Sequence, residues 1–125
     1  MGNTLNVLTK TNMEVSKEII DDKILSLNLN GDLIGEINGV EILEIVNNSI
    51  NQTINSCIVD LSGVRYMNSS GVGVLITIMT KINNKNGKLV LVNPSSQVVK
   101  LLEMTKLDSI FNTVKSITEA KEIIK

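Results

Sequence analysis

The sequence predicts an α/β fold in which helices face a mostly parallel sheet. The chain has 125 residues, the usual size of one domain with a buried core. After two opening strand-like segments, strand-length apolar runs alternate with segments of helical periodicity. Strands that alternate with helices form parallel sheets through crossover connections, so the predicted order is β, β, α, β, α, β, α, β, α. We expect a loose N-terminal segment at 1–12 and a single domain over 13–125.

The first two elements are predicted to form an antiparallel hairpin. Its strands are expected at 13–19 and 24–29, on either side of a turn at Asp21-Asp22. The second segment alternates apolar and polar residues, which is typical of a strand with one buried face. Gly31-Asp32 is expected to end this strand as a turn.

A change of period predicts the first helix and the strand after it. Over 38–55 an apolar residue recurs at every fourth position from Ile42 to Ile54, while polar residues occupy the other face. The run at 57–61 is short, apolar and directly preceded by this helix, so it is interpreted as a buried parallel strand.

The second half of the chain continues the alternation. Asn93-Pro94-Ser95-Ser96 is typical of a helix start, and Ser116 with Glu119 three residues later forms a capping-box pattern. The predicted elements are a helix at 72–83, a strand at 88–92, a helix after residue 96, a short strand at 110–114 and a helix at 116–125.

The composition excludes most familiar enzyme chemistries. There is no histidine, so no His-based triad or His metal ligand exists, and Cys57 is the single cysteine. A net charge of −1 and only two aromatic residues argue against nucleic-acid binding. No secretory signal or membrane-spanning run is found, so a cytoplasmic protein without membrane insertion is expected. Cys57, Tyr66 and Met67 are expected to lie in the core.

One polar segment stands where an open α/β sheet usually places its ligand or partner. Asn68, Ser69, Ser70, Gly71, Val72 and Gly73 follow a buried strand and lead into the predicted helix at 72–83. The free N–H groups of a helix N-terminus favour an anion, including the phosphate ester of a serine. The same residues are also ordinary helix caps. A dinucleotide fingerprint is disfavoured, because Ile76 stands where its third glycine would be.

Residues 60–75, DLSGVRYMNSSGVGVL, resemble the signature of the STAS domain family, in particular its bacterial anti-sigma factor antagonist branch. The strand and helix order is similar to that of the family over about 13–124, and 88–94 is similar to the family's next strand and turn. The resemblance implies a STAS-like fold with a mostly parallel or mixed sheet of four to five strands and helices packed mainly on one side.

The resemblance also implies a partner-switching regulator rather than an enzyme, with no cofactor. In such proteins the serine before the glycine, here Ser70, is phosphorylated by an anti-sigma factor that is a serine kinase of the GHKL ATPase type; Ser69 is the weaker candidate. The unphosphorylated form binds that kinase, and a PP2C-like serine phosphatase restores binding. The implied partner-binding surface comprises the segment from Asn68 to Gly73 together with Asp32.

Two departures from the family pattern concern this surface. Asn68 replaces the family's aspartate, which keeps a capping oxygen but removes a charge. That change either slows phosphorylation, or requires a divergent kinase, or lessens repulsion against a phosphate on Ser70. After Gly31-Asp32-Leu33 the family usually has an acidic residue that leads into the helix, whereas the segment from Ile34 to Asn38 is interpreted as an altered loop near the partner contacts.

Two other functions stay open on the sequence alone. One is a STAS scaffold with a fixed protein partner, such as a sensor or lipid-transport complex, and no phospho-switch. The other is a small nucleotide-binding module that uses the same helix N-terminus. Catalysis by the chain itself is disfavoured, because no general base stands near Ser70 in the sequence.

Overall fold

The computed structural model describes residues 13–125, so the loose segment expected at 1–12 lies outside the described residues. The elements follow the predicted order. They are β1 (Met13–Ile20), β2 (Ile24–Leu33), α1 (Gly35–Ser49), β3 (Ser56–Met67), α2 (Ser69–Asn84), β4 (Leu89–Val92), α3 (Ser96–Met104), β5 (Asn112–Val114) and α4 (Ile117–Ile124).

The five strands form one mixed sheet whose spatial order is the chain order. β1 is antiparallel to β2, and each later strand pairs in parallel with the strand before it. Helices α1, α2 and α3 therefore connect successive parallel strands that step in one direction. Right-handed crossovers of this kind place all three helices on the same face of the sheet. The α/β fold with helices mainly on one side is confirmed.

The core lies in two layers of unequal size. Alternate residues of the central strands, such as Leu27 and Val59, pack under α1, α2 and α3 in the large layer. The intervening residues, such as Ile58 and Val90, pack with Ala120 of α4 on the other face. Because α4 is short, it covers only the part of this face where β2, β3 and β4 begin. Polar residues continue along the uncovered face of β2.

Two strands continue beyond their predicted ends. Gly31-Asp32 was expected to be a turn, yet β2 runs to Leu33; likewise β3 runs past residue 61 to Met67. The register between them shifts twice, after Asn28 and after Gly31, so the polar residues that resemble a break form irregularities within a paired ladder. These extensions carry both strands to the edge where α1 and α2 begin.

The first helix also differs from its prediction. It covers Gly35–Ser49 rather than 38–55, so the segment interpreted as an altered loop forms the cap and first turn. The helix ends early because Asn51 folds into a turn, where its side-chain oxygen accepts hydrogen bonds from the backbone N–H groups of Thr53 and Ile54. Ile54 packs against the core from this turn, which is why the four-residue period continued past the helix.

The predictions for core residues, the first turn and the last strand are confirmed in part. Cys57 and Met67 are fully buried, but Tyr66 is 46% exposed, because the second register shift skips Arg65 and leaves Arg65 and Tyr66 both facing outward. The turn at Asp21-Asp22 is present, with both residues in the left-handed region. The strand predicted at 110–114 is limited to its last three residues. Within the described residues, no helix is long and apolar enough to cross a bilayer.

Candidate functional site

Two helices begin side by side at the carboxyl edge of the sheet. β2 and β3 are neighbouring parallel strands, with Leu33 in register with Met67, and each is followed almost at once by a helix. The backbone N–H of Asn68 donates to the Leu33 carbonyl oxygen, which extends the strand pairing to the start of α2. The N-termini of α1 and α2 therefore meet. Their first N–H groups, which have no carbonyl partner within the same helix, and their positive dipole ends lie close together.

Asn68 caps α2. Its side-chain oxygen accepts a hydrogen bond from the backbone N–H of Gly71 at 2.9 Å, so the capping expected of this residue is present. The helix consequently begins at Ser69 instead of at Val72. Ser69 and Ser70 thus stand in the first turn of a helix rather than in a loop.

The Ser70 hydroxyl joins the two helices. Its oxygen accepts a hydrogen bond from the backbone N–H of Gly35 at 2.9 Å. It lies 2.6 Å from Oε1 of Glu36 and 2.8 Å from Oδ1 of Asn68, and its single proton can be donated to either oxygen. Ile34, the N-cap of α1, makes no capping hydrogen bond with its own side chain. Ser70 therefore satisfies a first-turn N–H of a helix other than its own.

Glu36 supplies the negative charge of this cluster. Besides its contact with Ser70, its carboxylate lies 3.4 Å from the Asn68 side-chain nitrogen. Hydrogen bonds from the Ser70 hydroxyl first, then from its own backbone N–H and the Asn68 amide, lower the pKa of Glu36 below its ordinary value. The carboxylate is therefore ionised at neutral pH, directly beside the hydroxyl that the sequence marks for phosphorylation.

Two glycines allow the helices to approach this closely. A side chain on Gly35 would place its Cβ 2.5 Å from the carbonyl carbon of Ser70 and 2.8 Å from its Cβ. A Cβ on Gly71 would lie 2.6 Å from the Leu33 carbonyl oxygen. Real Cβ atoms do not approach backbone this closely, so glycine is required at both positions for the observed packing.

Gln97, at the start of α3, holds the strand end that precedes the cap. Its side-chain oxygen accepts from the Met67 backbone N–H and its nitrogen donates to the Met67 carbonyl oxygen, each at 3.0 Å. This pair of hydrogen bonds replaces the ladder that β4 is too short to supply, because β4 ends in register with Asp60. Gln97 thereby fixes the backbone just before Asn68.

The other predicted site residues take different places around this cluster. Ser69 and Gly73 are exposed, whereas the Val72 side chain is buried in the core. Asp32 does not join the cluster: its carboxylate pairs with Arg65 at 3.3 Å, near the ends of the same two strands. Within residues 13–125, no three acidic or cysteine side chains group closely enough to hold a metal ion.

Three contributors were missed from the sequence. Gly35 and Glu36 lay in the segment interpreted as a loop, and Gln97 was one polar residue among many in a predicted helix. The signal that could have identified Glu36 is that acidic residues are favoured in the first turn of a helix. No local pattern indicates Gln97, since its partner is 30 residues away in the sequence.

Comparison with known protein families matches residues 12–120 to the STAS domain. The chain belongs to the STAS domain family. A Thermotoga maritima protein provisionally named an anti-sigma factor antagonist is 32% identical over 76 residues, which are 61% of this STAS chain and 67% of the relative. The likeness to this family stated from residues 60–75 is therefore confirmed.

Solved structures agree with this assignment. The crystal structure of a provisionally named anti-sigma factor antagonist of Thermotoga maritima superposes with a TM-score of 0.79 at 30% identity, covering 88% of this STAS chain and 93% of the other. The unphosphorylated form of the anti-sigma factor antagonist SpoIIAA gives a TM-score of 0.70 at 21% identity, over 87% and 94% of the two chains. The second likeness is one of fold.

Proposed function

We propose that this STAS protein is an anti-sigma factor antagonist that switches partners through Ser70. Unmodified, it binds an anti-sigma factor serine kinase of the GHKL ATPase type; phosphorylated on Ser70, it is released, and a PP2C-like phosphatase restores binding. The chain itself is then a substrate and a regulator rather than an enzyme, acting in the cytoplasm. The names of its Thermotoga relatives support the class of function.

The position of the Ser70 hydroxyl is the observation that carries the proposal. It is half-buried where two helices begin, and it is the side chain through which their first turns are joined. Phosphorylation forms a bond from its oxygen to the γ-phosphorus of ATP, breaks the bond from that phosphorus to the ADP oxygen, and transfers the hydroxyl proton to a base of the kinase. Modification at this atom therefore changes both helix beginnings at once.

The surface beside Ser70 suits a partner that is sensitive to charge. Ile37 and Val40 are 58% and 73% exposed on α1, and Gly73 opens onto free space on α2. A phosphate adds a charge of about −1.5 to −2 to this partly apolar region. A partner that buries the region must desolvate that charge, and about 3 kcal/mol of lost binding energy corresponds to more than a hundredfold in Kd.

Binding of Ser70 variants to a candidate kinase tests the proposal. Isothermal calorimetry should give similar affinities for the unmodified chain and Ser70→Ala, and an affinity at least about a hundredfold lower for Ser70→Asp. Ser109→Asp is the control, because Ser109 is an exposed serine outside the implied partner-binding surface. Equal affinities for Ser70→Ala and Ser70→Asp would overturn the switch.

Phosphopeptide mapping of the chain from its own host, growing and stressed, is the complementary measurement. Occupancy at Ser70 that changes with conditions is expected. A stable protein complex with Ser70 always unmodified would instead indicate a scaffold with a fixed partner. A thermal shift induced by GTP or ATP would favour the nucleotide-binding alternative.

A further inference from the structure

Glu36 occupies a position that the Ser70 switch as proposed leaves unexplained. An ionised carboxylate stands 2.6 Å from the oxygen that would carry the phosphate. Among the described residues, the groups within hydrogen-bond distance of this oxygen are the Gly35 N–H, Glu36 and Asn68, and none is a basic side chain. Arg65, the cation near the same strand ends, is paired with Asp32.

We propose that Glu36 is the positioning residue of the switch: its carboxylate holds the unmodified Ser70 hydroxyl and repels an anionic group at the same atom, so modification of Ser70 releases the first turn of α1. This inference rests on the proposed function only in taking Ser70 as the modified residue.

The hydrogen-bond arrangement distinguishes the two states of Ser70. A hydroxyl donates its proton to the Glu36 carboxylate, whereas a phosphate ester has only acceptor oxygens at neutral pH and cannot. The attraction of the unmodified state therefore becomes repulsion between like charges. The N–H of Gly35 and the two helix dipoles still favour the anion, so the group that must leave is Glu36.

Asn68 makes this use of Glu36 possible. Its oxygen accepts a hydrogen bond from the Gly71 N–H, and its amide nitrogen lies 3.4 Å from the Glu36 carboxylate. An aspartate at position 68 would offer no such donor and would place a second negative charge beside Ser70. The charge next to the hydroxyl thus comes from the first turn of α1 rather than from the cap of α2.

Movement of Glu36 would alter the exposed surface of α1. Ile34 has no side-chain cap, so the first turn depends on the Gly35 N–H donating to Ser70 and on the Ile34 N–H donating to the Asn38 side chain at 2.7 Å. The exposed Ile37 follows Glu36 directly. A charge introduced at Ser70 would therefore displace an apolar contact residue as well as add charge.

A double-mutant cycle on the isolated chain tests the proposal. Ser70→Asp is made in the wild-type and Glu36→Gln backgrounds, and thermal unfolding is followed at about 20 mM and 1 M NaCl, where the Debye length falls to about 3 Å. We expect Ser70→Asp to lower Tm in the wild type and to lower it by about half as much in Glu36→Gln, with the difference shrinking at high salt.

Matched variants isolate the pair. Glu41→Gln removes the same charge from an exposed position of α1 and should relieve the Ser70→Asp loss much less than Glu36→Gln does. The Tm loss of Ser69→Asp should likewise depend much less on Glu36 than that of Ser70→Asp does. Equal losses in the wild type and Glu36→Gln, equal relief by Glu41→Gln, or a difference independent of salt would each overturn the proposal.

A measurement that needs no introduced charge covers the case in which Ser70→Asp does not fold. NMR titration of Glu36 should give a higher pKa in Ser70→Ala than in the wild type, and an unchanged pKa would overturn the proposal. The two proposals can fail separately. If no kinase modifies Ser70, the partner switch is refuted and the coupling between Ser70 and Glu36 stands. If the Tm losses are equal, that coupling is refuted and the partner switch stands.

Discussion

The contact between the beginnings of α1 and α2 predicts opposite effects for the same substitution at two glycines. Gly35→Ala and Gly73→Ala both add one methyl group to a helical position near Ser70. The Cβ at position 35 would lie 2.5 Å from the Ser70 carbonyl carbon, whereas a Cβ at position 73 meets nothing within 4 Å. Since the added group is identical, the sign of the effect reports the packing at each site.

The magnitudes follow from separate contributions. At Gly35 the clash is with main-chain atoms, so relieving it must separate the helices at a cost of about 1–3 kcal/mol. Loss of the hydrogen bond from Gly35 to Ser70 adds about 1 kcal/mol, and the stiffer unfolded chain offsets about 0.4–1 kcal/mol. We expect a net loss of about 1–3.5 kcal/mol. Gly73→Ala lacks the clash and should stabilise by about 0.5–1 kcal/mol.

Thermal unfolding by circular dichroism, with calorimetry as a check on two-state behaviour, measures both variants. The expected Tm falls by about 4–12 °C for Gly35→Ala and rises by about 2–4 °C for Gly73→Ala. A Gly35→Ala chain as stable as the wild type would refute the close approach of Gly35 to Ser70. A destabilised Gly73→Ala chain would refute the open space beside Gly73.

Three further predictions concern other contacts of the structure. Because the pKa of Glu36 is lowered in the folded chain, its stabilising contribution is present above its unfolded-state pKa and is lost as pH falls through the folded value. Below about pH 5, urea titrations should therefore show a larger drop in the free energy of unfolding for the wild type than for Glu36→Gln. Parallel pH dependences of the two proteins would contradict this. Gln97→Ala leaves the Met67 N–H and carbonyl without their side-chain partner and should cost about 1–3 kcal/mol, against no measurable loss in the exposed control Gln52→Ala. Burial raises the pKa of the Cys57 thiol, so a thiol reagent should react with it in denaturant and not in the native protein; rapid native labelling would contradict its burial.

The elements that the sequence predicted correctly depend on short-range interactions. Asn68, Ser95 and Ser116 each accept a hydrogen bond from an N–H three residues later, so both partners are present in any short stretch of chain. The order of strands and helices was likewise readable, because buried strands and amphipathic helices each repeat their own apolar pattern. The motif at 60–75 indicated the family for a similar reason, since its residues are contiguous.

The errors lie where distant segments decide local structure. β3 continues through Gly63 because its pairing with β2 absorbs an irregularity, and no residue of that segment alone indicates a partner strand. One error is an exception: α1 ended within an uninterrupted apolar period because of the turn at Asn51, whose contacts with Thr53 and Ile54 are local. Tyr66 is exposed because the register shift at Arg65 changes which residues of β3 face outward. From the sequence, this aromatic residue next to Met67 was expected to lie in the core.

The fold class, the family and the segment that begins α2 could all be predicted from the amino-acid sequence. The surroundings of the Ser70 hydroxyl could not, because Gly35 and Glu36 are 35 and 34 residues away in the chain. Parallel pairing of β2 with β3 brings the carboxyl ends of both strands to one edge, and the helices that follow must begin there together. The meeting of a serine with a distant glycine and glutamate is thus a consequence of strand order, which no local pattern of residues encodes.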